Sequence, residues 1–234
     1  RNRDIWNFGI GISNTQVDEY DVDSADEDIP ETQGRLLEFW TDRKWDRTND
    51  PLFPRQGGYF KVRLTYAPPI GFSEVPYMAA QVDGVKYLGI TDDIVIATRG
   101  RIGAGEPLGD TAEIIATRRF YAGGYNTHRG YERRKLGPKD SAGNARGGEF
   151  VALAGAEVRM PLLWQFDLAA FIDAGNLWDF SKNFHFDDIP VAIGLAVDFR
   201  TPLGPLRVGY GHNIANLVEG EPRGLWHFGI GYPW

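Results

Sequence analysis

Apolar residues recur at every second position through most of this chain. Trp6, Phe8, Ile10 and Ile12 alternate with Asn7, Gly9, Gly11 and Ser13, the period of a strand with one apolar face. Phe60, Val62, Leu64 and Tyr66 alternate with Lys61, Arg63 and Thr65 in the same way. Mixed polarity predicts a strand over 35–45 with Leu37 and Phe39 on one face. Another strand is predicted over 80–90, where Lys86 falls on the apolar parity and obscures the faces. A further one runs from Ile94 to Gly103, with Arg99 and Arg101 on one face.

The alternation is strongest after residue 149. Phe150, Ala152, Ala154, Ala156, Val158 and Met160 oppose Leu153, Gly155, Glu157 and Arg159. Phe166, Leu168, Ala170 and Ile172 oppose Asp167, Ala169, Phe171 and Asp173. Val191, Ile193, Leu195, Val197 and Phe199 oppose Gly194, Asp198 and Arg200, and Leu206, Val208 and Tyr210 oppose Arg207, Gly209 and Gly211. The last run places Trp226, Phe228, Ile230, Tyr232 and Trp234 on one face. No helical period competes, so the chain is predicted to be all-β with about ten strands.

The polar face decides which kind of β-protein this is. It carries Glu157, Asp173, Asp198, Arg200 and Arg207 among glycines. As a soluble core it would bury charges at a cost of several kcal/mol each unless they were paired. As the lumen of a membrane barrel, with the apolar face turned to lipid, it is ordinary. Connection lengths point the same way. Those at 14–33, 67–79, 104–148, 178–189 and 212–224 are long, those at 91–93, 161–165 and 201–205 are short, and 46–57 is intermediate. Long external loops alternate with short periplasmic turns in this manner in outer-membrane barrels. An antiparallel transmembrane β-barrel is the predicted fold.

Composition narrows the chemistry. The 234 residues include no Cys, which removes disulfides and thiolate metal sites, and the net charge of −7 argues against a nucleic-acid partner. Arg1-Asn2-Arg3-Asp4 runs straight into a strand pattern without a leader, and no run of about 18 apolar residues predicts a membrane helix. Asp21 and Asp23 begin a calcium-loop spacing that Ala25 and Asp26 break, so 14–33 reads as a solvated acidic loop. His128, His185, His212 and His227 are scattered; His212 and His227 flank the last long connection and could meet, but two histidines do not make a metal site. Neither a nucleophile elbow, a zinc-protease helix nor a phosphate-binding loop is present, so an enzyme is not expected, nor a cofactor.

One stretch follows neither period: Arg118-Arg119-Phe120-Tyr121-Ala122-Gly123-Gly124-Tyr125-Asn126-Thr127-His128-Arg129-Gly130-Tyr131. Its glycines and Asn-Thr pair allow a tight fold with Arg129 at the tip. If that guanidinium were buried, its five donors would need carboxylates, and Glu157 and Asp173 lie on lumen parity of successive strands. Taken alone, the residues favour an exposed loop cation with no partner.

Several of these stretches, in order, resemble the BamA/TamA family of outer-membrane β-barrel assembly proteins, the bacterial surface-antigen barrels. Asp50-Pro51-Leu52-Phe53-Pro54-Arg55-Gln56-Gly57 looks like a periplasmic turn of that family. His128-Arg129-Gly130-Tyr131 is similar to the signature of its sixth external loop, with His128 where Val is usual. Glu157 and the Phe171–Trp178 stretch around Asp173 resemble its wall acids, and Thr201-Pro202-Leu203-Gly204-Pro205-Leu206 its penultimate turn. Phe228, Ile230, Tyr232 and Trp234 resemble its C-terminal strand signal.

The resemblance implies a great deal. Residues 1–234 would be a partial barrel domain, about ten C-terminal strands of about sixteen, lacking the first strands and the periplasmic POTRA modules. Arg129 would be pinned in the lumen by Glu157 and Asp173. The protein would sit in the bacterial outer membrane and insert or translocate unfolded β-barrel clients through a lateral seam, with lipids and accessory assembly subunits as partners. The alternative is a passive pore or structural barrel. Gly229 and Gly231 would suit a weakly zipped last strand, or would merely relieve crowding in the lumen.

Overall fold

In a computed structural model, which describes residues 3–15, 34–180, 185, 187–218 and 220–234, each alternating run becomes one strand. The strands are β1 (Arg3–Thr15), β2 (Gly34–Asp46), β3 (Gly57–Ala67), β4 (Tyr77–Gly89), β5 (Val95–Pro107), β6 (Phe150–Leu163), β7 (Phe166–Trp178), β8 (Val191–Phe199), β9 (Leu206–Ala215) and β10 (Gly224–Ile230). They form one ten-stranded sheet in sequence order, with every neighbouring pair antiparallel. Among the described residues β1 and β10 do not pair, so the sheet is an arc with two open edges. The acidic stretch with the broken calcium-loop spacing, 16–33, lies outside the described residues.

The faces sort as the alternation requires. Trp6, Phe8, Ile10, Ile172, Ile193, Trp226, Phe228 and Ile230 point outward and are exposed, Phe8 at 82%. Glu157, Asp173, Asp198 and Arg207 point inward, with Asp198 at 0%. An exposed apolar belt around a buried charged face is the inverse of a soluble barrel and suits a sheet solvated by lipid. Lys86 points outward, near the turn end of β4, where a long stem can carry its ammonium to the interface.

Turns fall at one rim and loops at the other. Residues 47–56, 90–94, 164–165 and 200–205 join strands at the first rim, and 68–76, 108–149, 179–190 and 216–223 at the second. The long 108–149 connection does not stand clear of the sheet. It fills the concave side, where Arg118 Nε donates to Glu38 of β2 at 2.9 Å and Tyr125 Oη donates to Gly231 O beyond β10 at 2.7 Å. A segment that touches both ends of a ten-stranded sheet can do so only because the sheet curves around it.

The final run departs from expectation. β10 stops at Ile230, because Gly231 takes φ +83°, a left-handed conformation that favours glycine. The chain then bends into the lumen, so Tyr232 and Trp234 do not share the outward face with Phe228 and Ile230. The lumen is packed at Ala169, which parity assigns to it and which is 0% exposed.

Candidate functional site in the lumen

The stem of the long loop is anchored first. Arg119 donates from Nε to Ile114 O at 2.8 Å, from Nη1 to Asp179 at 2.9 Å and from Nη2 to Glu113 at 2.5 Å. Arg146, on the returning limb, pairs with the same two acids. Backbone bridges Phe120–Gly148 and Ala122–Leu136 zip the limbs together, and Thr127 closes the tip through Gly123. Ala122, Tyr131 and Leu136 pack on Val151, Leu153 and Leu177 of the wall, which gives the loop an apolar footing of its own.

At the tip, His128, Arg129, Gly130 and Tyr131 are all buried. Arg129 meets both acids singled out by parity. Its Nε and Nη2 donate to the two oxygens of Asp173 at 2.7 and 3.0 Å, and its Nη1 donates to Glu157 at 2.5 Å. Its backbone N–H also donates to Asp173, at 3.0 Å, and its guanidinium carbon lies 3.6 Å from the centroid of the Phe171 ring. Two parallel bonds to one carboxylate fix both distance and orientation.

The neighbours explain the rest of the tetrapeptide. Gly130 lies so close to the wall that a Cβ there would overlap the Asn213 side-chain oxygen and come within 2.7 Å of Ala192 Cβ. Asn213 Nδ2 donates to Gly130 O at 2.6 Å. Tyr131 Oη accepts from Val218 N at 3.2 Å, and its ring meets His128 edge-on. His128 Nε2–H donates to Pro190 O at 3.2 Å, while its Nδ1 accepts from Gly130 N at 3.3 Å. Those two roles describe a neutral imidazole, and burial pushes its pKa below the ordinary histidine value. His227 Nε2–H donates to Arg129 O at 2.7 Å. His212 projects from the outward face beside Tyr210, so the two histidines flanking the last loop do not meet.

Arg129 is one member of a larger group. Glu157 also accepts two bonds from Arg207, each 2.8 Å, and one from Arg159 at 2.7 Å. Asp198 accepts from Arg207 as well, and Asp173 from Arg99 at 3.1 Å. The sequence puts Arg159 and Arg207 on the polar face and Arg99 on one face with Arg101, without assigning any of them to the acids of Arg129. The signal was their parity: Arg99, Arg159, Arg207 and Asp198 all sit on inward positions. Low surrounding polarity strengthens every such contact and raises the penalty for orphaning one member.

The terminal segment completes the group. The Arg159 guanidinium stacks 3.6 Å from the Tyr232 ring centroid, and Trp234 lies 5.3 Å from Arg99 and 5.5 Å from Arg129. Phe228 and Ile230 remain on the lipid face of β10. The four residues of the expected strand signal are therefore split between two environments. Among the described residues no group of His, Asp and Glu has the geometry to hold a metal ion.

Residues 2–234 match the model of the Omp85 superfamily domain. The chain is 28% identical over 232 residues to the outer membrane protein assembly factor BamA of Nitratidesulfovibrio vulgaris, covering 92% of this chain and 29% of the relative. It is 26% identical to BamA of Neisseria meningitidis serogroup B, covering 75% and 26%. A mouse sorting and assembly machinery component 50 homolog is 30% identical over 56% of this chain and 29% of the relative. The chain thus spans under a third of the length of these curated relatives. In fold it matches the crystal structure of BamA from Haemophilus ducreyi lacking POTRA domains 1–3, with a TM-score of 0.71 over 84% of this chain and 43% of that one at 19% identity. Strand order, inverted faces and a match over nearly its whole length agree: this chain is an outer-membrane β-barrel portion and belongs to the Omp85 superfamily.

Proposed function

We propose that this barrel portion acts, as part of a longer chain supplying the remaining strands, in the assembly of other outer-membrane proteins. The single observation that carries this reading is the seating of Arg129 on Asp173 and Glu157 in a chain that matches the superfamily model throughout. Relatives named as outer-membrane assembly factors support the direction. On this reading the pinned loop fills the lumen and braces the wall, so the working surface is a barrel edge. The edge of β10 offers unpaired backbone groups to a client strand, which would add to it by β-augmentation. Unfolded β-barrel proteins are the clients, lipids surround the outward belt, and accessory subunits would act at the periplasmic rim. No covalent bond is made or broken in this work, and it needs no cofactor.

The test is complementation. A strain depleted of its own assembly barrel receives the full-length protein, unaltered or with Arg129→Ala, and folded client is read by heat-modifiable gel mobility. Unaltered protein should restore client folding, and Arg129→Ala at equal abundance should lower it. A passive pore would behave otherwise: conductance would rise in the variant while client folding stayed independent of the protein. That result overturns the reading.

A further inference from the structure

The loop and the last strand share contacts that neither the wall acids nor the tetrapeptide accounts for. Tyr125, before the motif, crosses the lumen to the end of β10. Its hydroxyl donates to Gly231 O at 2.7 Å, at the residue whose positive φ turns the chain inward. Its ring lies flat on Gly229: a Cβ added there would fall 2.7 Å from both Cε1 and Cζ. Gly229 therefore has a steric reason to be glycine, and the reason is Tyr125. Two further contacts hold the same region. Gly231 N donates to Pro205 O in the turn before β9 at 2.7 Å, and His227 Nε2–H donates to Arg129 O one turn of the pleat above.

We infer that Tyr125 is a positioning residue that couples the long loop to the last strand, holding the segment after Ile230 in its inward bend. The bend seats Tyr232 against Arg159 and Trp234 among Arg99, Arg129 and Arg159. A straight strand would send that segment out along the wall instead. Because Asp173 and Glu157 hold the loop, the Tyr125 hydroxyl has a fixed base from which to hold the strand. The edge that meets a partner strand is then set by the loop, and movement of one moves the other. The coupling stands on these contacts alone; only its consequence for client assembly rests on the function proposed above.

This chain has no cysteine, so in full-length protein with any cysteine outside it replaced by serine a single introduced thiol reports the segment's position. Pro233 is buried in the bend. Full-length protein carrying Pro233→Cys is reacted with a bulky maleimide, with and without Tyr125→Phe, and the loop is probed in parallel by limited proteolysis. Tyr125→Phe keeps the ring and removes only the hydroxyl, so labelling should accelerate roughly fivefold, the shift expected from one lost neutral hydrogen bond. Loop proteolysis should stay at the Pro233→Cys level, because Arg129 still holds the tip. Gly229→Ala, which would displace the ring, should accelerate labelling as well. Folded fraction is checked by heat-modifiable mobility before labelling. Equal labelling rates with and without Tyr125→Phe in folded protein overturn the inference, as does acceleration accompanied by equal loosening of the loop. Neither result depends on client folding, so this inference and the proposed function fail separately.

Discussion

Arg129→Ala tests the site at its centre. The substitution removes three side-chain hydrogen bonds and the contact with Phe171. Breaking a well-buried pair costs about 3–5 kcal/mol, chiefly because a charge is left dry. Here the acids are not abandoned: Glu157 keeps Arg207 and Arg159, and Asp173 keeps Arg99. The loss should fall at the low end, about 3 kcal/mol, which is roughly a 150-fold change in the equilibrium for seating the loop. Backbone contacts such as Asn213 to Gly130 O should keep most molecules seated, so the effect appears in rare openings. Hydrogen exchange reads those openings. The amides of Gly124 and Tyr131, bonded to Tyr131 O at 2.8 Å and His128 O at 3.2 Å, should lose roughly two decades of protection in purified full-length protein. Protection within about threefold of the unaltered protein, with the amides still well below the global stability limit, would refute the ion-pair account of the loop.

Three other perturbations separate the layers of the structure. Ile172→Lys, which puts a charge on the lipid face midway along β7, should cost about 2–4 kcal/mol in detergent or bilayer unfolding. Ala169→Lys should be no milder, because its position is fully enclosed beside Arg159 and not open to water; folded yield indistinguishable from unaltered protein would argue against a packed lumen. Gly130→Ala forces the loop away from Asn213 and Ala192 and should destabilise its seat by about 1–3 kcal/mol, visible as faster loop proteolysis at normal folded yield. His128 supplies a pH test. Its folded pKa is depressed, so the unfolded chain binds more protons, and the stability due to neutral His128 is complete above about 6.5 and lost as pH falls toward the folded value. Protonating Nδ1 would also set a donor against Gly130 N–H. Loop protection should drop on acidification over that window and do so less in His128→Gln; identical profiles would remove His128 as the cause.

The sequence carried the faces of the sheet because a period of two leaves little freedom. Once Ile172 faces lipid, Asp173 must face the lumen, and each strand repeats that constraint. Lys86 was illegible because it points outward near the turn end of β4, where a long stem can carry an ammonium to the interface, and parity does not encode position along a strand. The pairing of Arg129 with Asp173 and Glu157 needed more than parity: the chain separation of Arg129 from either acid is bridged by a loop whose path no local rule gives. Arg99, Arg159 and Arg207 lay in plain view on inward positions, yet their convergence on shared acids depends on strand register. The inward bend was hidden for a different reason. Trp226 to Trp234 keeps its alternation without a break, which masked the one local sign that Gly231 turns and Gly229 does not, Pro233 two residues further on.

The unequal rims have a mechanical consequence. Two residues join β6 to β7 and six join β8 to β9 at one end, so those hairpins act as stiff clips that hold neighbouring strands at fixed spacing. At the opposite end the described connections are longer, and the longest is fastened to the wall by arginine. Any further spreading of the arc would therefore open like a fan, pivoting at the clipped rim and parting at the rim of the longer connections.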